Sequence, residues 1–190
     1  MSFALDLTKF IEKAQGNAET VVRKVGIDML AKVVDRSPVG NPDLWAANAT
    51  ASQYNNAVSE WNATLRDDPT NLTASGRLRR GLKVNDGMDI KAPEGYVGGR
   101  FRGNWQVSFD SRPEDEISRV DANGAATKAA GKAMFNSYTS DVKSIWFVNN
   151  VPYAYRLETG YSTQAPLGMA GVTAAEFQTF VDQAVRELDT

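Results

Sequence analysis

The chain has 190 residues, a formal net charge of −2 and an isoelectric point near 5.3. It contains neither cysteine nor histidine, which excludes disulfides, thiol nucleophiles, imidazole acid–base chemistry and the usual zinc ligand sets. The length suits one domain that buries about 70% of the surface its unfolded chain exposes, and the composition shows neither the basic balance of a nucleic-acid-binding domain nor an apolar run of membrane-spanning length.

The first element that the sequence predicts is a long amphipathic helix. Apolar residues recur at alternating spacings of four and three, which puts them on one helical stripe. Gly16 and Asn17 interrupt this stretch, and because glycine costs about 1 kcal/mol relative to alanine inside a helix, it is either one helix or two with a break there. Pro38 ends the helix. We interpret the stripe as the buried face of a core helix, with a partner-binding coiled coil as the alternative; its members are Leu7, Ile11, Ala14, Ala18, Val21, Val25 and Met29.

Residues 41–98 differ in composition from the rest of the chain. They are rich in Asn, Ala, Asp, Gly and Pro and only weakly periodic, which predicts an insertion with short helices near 52–66 and 73–82. Four cations make the insertion locally basic, and they suit either a solvated helix face or contact with phosphates or an acidic partner. These cations are Arg77, Arg79, Arg80 and Lys83.

Strands and a further helix are predicted after the insertion. Trp105–Phe109 alternates apolar and polar residues, which is typical of a strand buried on one face, and residues 117–120 are predicted to be its hairpin partner. The small side chains of residues 124–138 favour a helix that approaches a neighbour closely. The apolar run 144–148 predicts a strand in the centre of the sheet.

The C-terminal part is predicted to hold one more strand and a final helix. Residues 153–158, after Pro152, form a short strand or extended segment. Thr173 and Glu176 have capping-box spacing, which predicts that an amphipathic helix begins there. The order of elements indicates an α+β fold in a single domain, 1–190. In it a small antiparallel or mixed sheet is flanked by long N-terminal and C-terminal amphipathic helices, with an inserted loop or helical region.

No constellation of residues predicts catalysis, a metal or a cofactor. The Gly-rich loop 95–103 lacks the Gly-Lys-Ser/Thr ending of a phosphate-binding P-loop, so we interpret it as a turn before a strand. Its Arg100 and Arg102 are then free for salt bridges between subunits. The consecutive carboxylates at 114–116 fit a solvated loop better than an ion site, and Glu60 and Glu158 are isolated acids.

Two segments resemble the HK97 gp10-like family of phage neck and tail-completion (head–tail joining) proteins. The first is Arg36-Ser37-Pro38-Val39-Gly40 together with Gly99-Arg100-Phe101-Arg102-Gly103-Asn104-Trp105-Gln106-Val107, which is similar to one family pattern split by the insertion. An alternative end of the insertion is Ser75-Gly76-Arg77-Leu78-Arg79, which fits the same Gly-Arg-hydrophobic-Arg element. The second segment, 149–169, carries Pro152-Tyr153-Ala154, Leu157-Glu158-Thr159-Gly160 and Gln164-Ala165-Pro166-Leu167-Gly168-Met169.

The resemblance implies a non-enzymatic virion protein without cofactors. It implies a homo-oligomeric ring, six-fold or twelve-fold, at the head–tail junction of a tailed bacteriophage, assembled in the host cytoplasm. Its expected partners are head connector or stopper proteins and the tail terminator or tail tube. Genomic DNA passes through the lumen without sequence recognition, and no membrane is involved. The residues assigned to these contacts include tyrosines, a tryptophan and arginines, which are types enriched at protein interfaces. The full set is Arg100, Arg102, Trp105, Tyr153, Tyr155, Arg156, Glu158, Tyr161 and Gln164.

Two other functions stay open at the level of sequence. A tail-terminator or tail-tube-associated protein is a structural subunit of the same kind in a neighbouring ring. A DNA-binding module would use the basic clusters at 77–83 and 100–102, and its affinity for duplex DNA would fall steeply with salt.

Overall fold

A computed structural model describes residues 3–188 of the chain. About 52% of the chain is helical and the sheet is a two-stranded antiparallel one, which confirms the predicted α+β fold with long terminal helices. The chain divides into two compact units. The main unit holds the residues up to Val39 and those from Val97 onward, and the inserted unit is Gly40–Tyr96.

The main unit begins with a single helix, α1 (Phe3–Arg36). Gly16 lies within it without a break, at an exposed position with no atom within 4 Å of where a Cβ would stand. The side chains of α1 are described from residue 11 onward. Among them Val25, Leu30, Val33 and Val34 are buried, whereas residues 11–18 are exposed.

Helix α4 (Ala125–Asn136) packs against α1. The two helices meet at glycines: a Cβ on Gly26 would stand 2.1 Å from the Phe135 ring, and one on Gly131 would stand 1.8 Å from the Leu30 side chain. The prediction of a small-residue helix that approaches a neighbour closely is therefore confirmed.

The sheet consists of β1 (Trp105–Phe109) and β2 (Ile145–Asn149), which pair from Trp105↔Asn149 to Phe109↔Ile145. The hairpin partner predicted at 117–120 is wrong, and so is the central position of the second strand. Side chains bind segment 117–120 instead: Asn104 exchanges hydrogen bonds with the backbone N–H and C=O of Ile117 (2.9 and 2.7 Å), and Arg119 donates to the carbonyl of Trp105 (2.9 Å).

The C-terminal elements differ from those predicted. Residues 153–158 are not a strand, since α5 (Ala154–Glu158) is a short helix. The final helix is two helices, α6 (Ala170–Ala175) and α7 (Phe177–Leu188). The capping box is wrong because Thr173 lies inside α6, where its hydroxyl donates to the carbonyl of Met169 at 2.7 Å, and Glu176 forms a salt bridge with Arg36 at 2.6 Å.

The inserted unit is built on α2 (Ala49–Asp67), near the predicted 52–66, with 3₁₀ turns at Pro42–Leu44, Ala46–Asn48 and Pro69–Asn71. The helix predicted at 73–82 is wrong: this segment forms a hairpin closed by an antiparallel bridge between Leu72 and Leu78. Few apolar side chains in this unit are buried, and Ala51 is the one among its described hydrophobic residues with core-like burial.

Three asparagines seven residues apart hold an extended segment, 84–91, along α2. Asn62, Asn55 and Asn48 each accept a hydrogen bond from a backbone N–H and donate one to the C=O of the same residue, at distances of 2.8–2.9 Å. Their respective partners are Val84, Met88 and Lys91. We call this set the amide ladder. Seven residues are close to two helical turns, so Asn55 and Asn62 lie on one face of α2, and Asn48, the residue that precedes the helix, continues the same row.

Candidate assembly surface

The two halves of the split family-like pattern meet in the main unit. The Trp105 indole N–H donates to the Ser37 hydroxyl at 2.7 Å, and Arg102 donates to the carbonyl oxygens of Ser37 (2.6 Å) and Asp35 (3.3 Å). The inserted unit therefore lies in sequence between two segments that are in contact. The element at 99–102 makes these contacts, whereas its alternative at 76–79 lies in the hairpin of the inserted unit.

Three of the predicted interface residues make hydrogen bonds within this chain. Trp105 is only 6% exposed and belongs to the core cluster, so its ring is not presented to a partner in this structure. Arg102 bonds three backbone carbonyls, the third being Ala122 at 2.7 Å. Gln164 accepts from the N–H of Val39 (3.2 Å) and donates to its C=O (2.9 Å), which anchors the 159–169 loop beside the end of α1.

Glu158 shapes the same loop from its other end. Its carboxylate accepts hydrogen bonds from the backbone N–H groups of Met169 (3.0 Å), Ala170 (3.0 Å) and Gly171 (2.8 Å), at the start of α6. These N–H groups have no acceptor within the helix, so a carboxylate placed there stabilises the helix end. Glu158 therefore caps the start of α6, with both of its carboxylate oxygens accepting backbone N–H groups.

Two glycines let the loop fold back on itself. Gly160 and Gly168 have φ of 86° and 76°, a region that side chains with a Cβ rarely adopt. A Cβ on Gly160 would stand 2.3 Å from the Pro166 carbonyl oxygen, and one on Gly168 would stand 2.3 Å from that of Glu158. The backbone of 158–171 is thus fixed by close contacts and by the Glu158 and Gln164 hydrogen bonds.

This loop and the preceding helix α5 present large side chains to solvent. Tyr155, Tyr161 and Leu167 are 81%, 64% and 79% exposed, and the Arg156 guanidinium lies 3.5 Å above the centre of the Tyr161 ring. Tyr153 and Phe177 are partly exposed as well. We call Tyr155, Arg156, Tyr161 and Leu167 the aromatic surface. Leu167 and Phe177 are not among the predicted interface residues. The Pro-Leu-Gly sequence around Leu167 is typical of a turn, and a side chain in a turn is commonly exposed.

Arg100 lies outside this surface, on the short helix α3 (Arg100–Gly103). Its side chain is 56% exposed and pairs with Glu116 at 2.6 Å. The Glu116 carboxylate raises the pKa of Arg100. The preceding Gly99 has φ of 111°, and a Cβ there would stand 2.4 Å from the Ala122 backbone. The glycine therefore serves close backbone packing, and the loop is a structural turn.

A groove of about 390 Å³ lies between α4 and β1, but it offers no catalytic group. Its walls are mostly apolar, with Val107, Ile117 and Met134 among them, and Arg119 is the one ionisable residue in the lining. Burial lowers the pKa of Arg119, whose guanidinium donates to the carbonyls of Gly103 (2.8 Å) and Trp105. Ser137 supplies the one hydroxyl of the lining, and it donates to the carbonyl of Met134 at 2.7 Å, with no Asp, Glu, Lys or Tyr in the lining to act as its base.

The part of the chain that the structure describes contains no group of three or more Asp and Glu side chains placed to hold a metal ion. Among the helices of residues 3–188, none is both long enough and apolar enough to span a membrane. Comparison with protein-family models, with curated proteins and with solved structures finds no match to this chain.

Proposed function

We propose that this protein is a structural, non-enzymatic subunit of a tailed phage virion that forms a ring at the head–tail junction and joins the head to the tail. The aromatic surface carries the proposal: exposed tyrosines, an arginine and a leucine stand on a backbone that internal hydrogen bonds already hold. Tyrosine and arginine are among the common energetic anchors of protein interfaces, and an exposed leucine beside them adds apolar area that a partner can bury. A fixed backbone lowers the entropy lost on binding.

The resemblance in the 36–40, 99–107 and 149–169 segments supports the neck assignment in particular. A closed ring repeats one heterologous contact around an axis, so each subunit needs two different patches. The aromatic surface is one candidate patch. The exposed Leu44 and Trp61 of the inserted unit offer another, because large apolar groups in solvent are typical of partner sites.

In this role one face of the ring contacts the head connector or stopper, and the other receives the tail terminator or tail tube. The virion neck is then the final location of the protein, and the genome passes through the lumen.

Electron microscopy of a lysate from a phage with an amber mutation in this gene tests the position in the virion. We expect filled heads beside unattached tails of normal length. Overlong tails would reassign the protein as a tail terminator, and intact infectious particles would refute the neck role.

Substitutions test whether the aromatic surface is the contact site. We expect the double variant Tyr155→Ser/Leu167→Ser, supplied from a plasmid, to restore at least about tenfold fewer infectious particles than the wild type. The loss of one anchor typically costs 2 kcal/mol or more of binding, and about 1.4 kcal/mol corresponds to tenfold. Val120→Ser, which changes another exposed apolar residue of the main unit, is the matched control. Equal complementation by all three proteins would rule out this surface.

A further inference from the structure

The hairpin at the end of α2 concentrates positive charge in an otherwise slightly acidic protein. Residues 69–83 contain no aspartate or glutamate and four cations, whereas the whole chain has a net charge of −2. We call this segment the basic hairpin. The sequence favours a solvated helix face for these cations, but in the structure the segment is a hairpin and not a helix. The cations therefore lie on a turn.

Backbone and side-chain hydrogen bonds hold the basic hairpin in shape. Thr73 N–H donates to the carbonyl of Arg77 (2.7 Å), and Arg79 N–H donates to that of Asn71 (2.8 Å). The Asn71 side chain donates to the carbonyl of Leu65 at 2.9 Å, which ties the hairpin to the last turns of α2. The four cations therefore project from a fixed frame.

These cations have no acidic partner in the described part of the chain. Arg77, Arg79, Arg80 and Lys83 are all exposed, and every salt bridge among the described side chains, those of residues 11–188, lies in the main unit. The one side-chain hydrogen bond of the set joins Arg79 Nε to the carbonyl of Thr70 (2.9 Å). It leaves the terminal guanidinium nitrogens of Arg79 unoccupied.

We propose that the basic hairpin binds the phosphate backbone of duplex DNA. Guanidinium groups match phosphate oxygens with two parallel hydrogen bonds, and clustered cations gain further from the release of counterions that DNA holds. The hairpin carries no helix or long ribbon that would enter the major groove, so this binding does not discriminate between sequences. The inference stands independently of the neck assignment.

Fluorescence anisotropy with a labelled 30-base-pair duplex tests the proposal on the full-length protein. We expect binding in the range 10⁻⁴ to 10⁻⁶ M, or tighter at low salt, as is typical of non-specific DNA binding. The affinity should fall steeply between 50 and 200 mM NaCl. The triple variant Arg77→Ala/Arg80→Ala/Lys83→Ala should reduce the slope of log K against log[salt] by about 0.9 for each phosphate contact removed.

The matched control removes the same charge elsewhere. Arg112, Lys132 and Lys143 are exposed cations of the main unit that lie far apart in sequence, and their triple alanine variant should keep the wild-type slope. Circular dichroism checks that both variants are folded. Equal losses in the two variants, or no binding by the wild type at 50 mM NaCl, would overturn the proposal. A more than tenfold preference between two unrelated duplexes would also do so, because it would require base contacts.

Failure of DNA binding and failure of the neck role are separable. If the amber mutant yields filled heads and free tails while the purified protein ignores DNA, the neck role holds and this inference fails, which leaves the hairpin to an acidic protein surface. If the protein binds DNA through the hairpin but the mutant particles are intact, the inference holds without the neck role.

Discussion

Several polar residues that look like functional groups serve the backbone instead. Glu158 accepts three N–H groups at the start of α6, and Gln164 holds both the N–H and the C=O of Val39. A hydrogen bond to a charged group typically contributes about 1.5–3 kcal/mol and a neutral one about 1 kcal/mol, so these side chains stabilise the loop whose backbone they hold. What remains for a partner is the set of apolar and cationic side chains that project beyond them.

Asp121 is another such residue, and it makes the stability of the protein pH-dependent. Burial raises the pKa of Asp121, but hydrogen bonds from the N–H and hydroxyl of Thr127 and from the N–H of Gly124, with the nearby Arg119, outweigh burial and leave the pKa below its ordinary value. A lowered pKa in the folded state means that ionised Asp121 stabilises the protein above the ordinary carboxyl pKa of about 3.9. This contribution is lost as the pH falls through the lower folded-state pKa.

We expect Asp121→Asn to lower the free energy of unfolding by about 2–3 kcal/mol at pH 7, because hydrogen bonds to an ionised group are lost. The difference from the wild type should be constant between pH 7 and 5 and shrink below about pH 4. Urea unfolding across this pH range measures it. Asp141→Asn, at an exposed residue, should match the wild type throughout, and a difference for Asp121→Asn that persists unchanged to pH 2.5 would contradict the assignment.

At the scale of elements, the two units are stabilised in different ways. The main unit has a conventional core in which Leu30, Val34, Phe101, Trp105 and Met169 are buried together. The inserted unit has little apolar burial, and the amide ladder contributes order to it by pairing the backbone of 84–91 with side chains of α2. Because the ladder recognises backbone groups, the residues along 84–91 need no hydrophobic pattern, which explains the weak periodicity of this region.

Asn48 and Asn62 are the buried members of the ladder, and Asn62 lies inside α2, so it is the one to change. Asn62→Ala leaves the N–H and C=O of Val84 without partners, so we expect a loss of about 1–3 kcal/mol in the stability of this unit. Hydrogen exchange at the Val84 amide should accelerate by roughly tenfold, the equivalent of about 1.4 kcal/mol. Asn56→Ala, an exposed asparagine on the same helix, is the control, and unchanged exchange at Val84 in Asn62→Ala would argue against the ladder.

At the scale of the whole molecule, the main unit is interrupted in sequence but has its own core. Every member of its core cluster lies before Val39 or after Val97, and the segments on either side of the insertion bond to each other through Ser37 with Arg102 and Trp105. A hydrophobic core of its own is the physical requirement for independent folding.

Replacing residues 40–96 with a short Gly/Ser linker should therefore leave a folded main unit. We expect one cooperative urea transition, monitored by the fluorescence of the two remaining tryptophans, the buried Trp105 and the more exposed Trp146. The deletion also removes the basic hairpin, so DNA binding should disappear from this variant. A broad, non-cooperative transition, with the intact protein as the reference, would show that the main unit does not fold alone.

Local patterns in the sequence were enough to predict where α1, β1, α4 and β2 lie and that the fold is of the α+β class. Each of these depends on periodicity or on small side chains within one short window. The exposed tyrosines of 153–161 were also found by residue type. The insertion was marked by its composition, because a segment held by amide side chains carries no hydrophobic period.

Contacts between distant residues decided the rest. Segment 117–120 has strand-like residues, but the Asn104 and Arg119 side chains take the backbone groups that a ladder would need. The capping box predicted at Thr173 and Glu176 does not form. Glu158, eleven residues before Met169, caps the start of α6, and Glu176 forms a salt bridge with Arg36. The ring of Trp105 is buried, and its indole N–H donates to the Ser37 hydroxyl that folding brings within 2.7 Å. The four cations of 77–83 are exposed on a hairpin because the chain turns there. None of these outcomes is encoded in a local window, since each depends on a partner that only the folded chain brings within hydrogen-bonding distance.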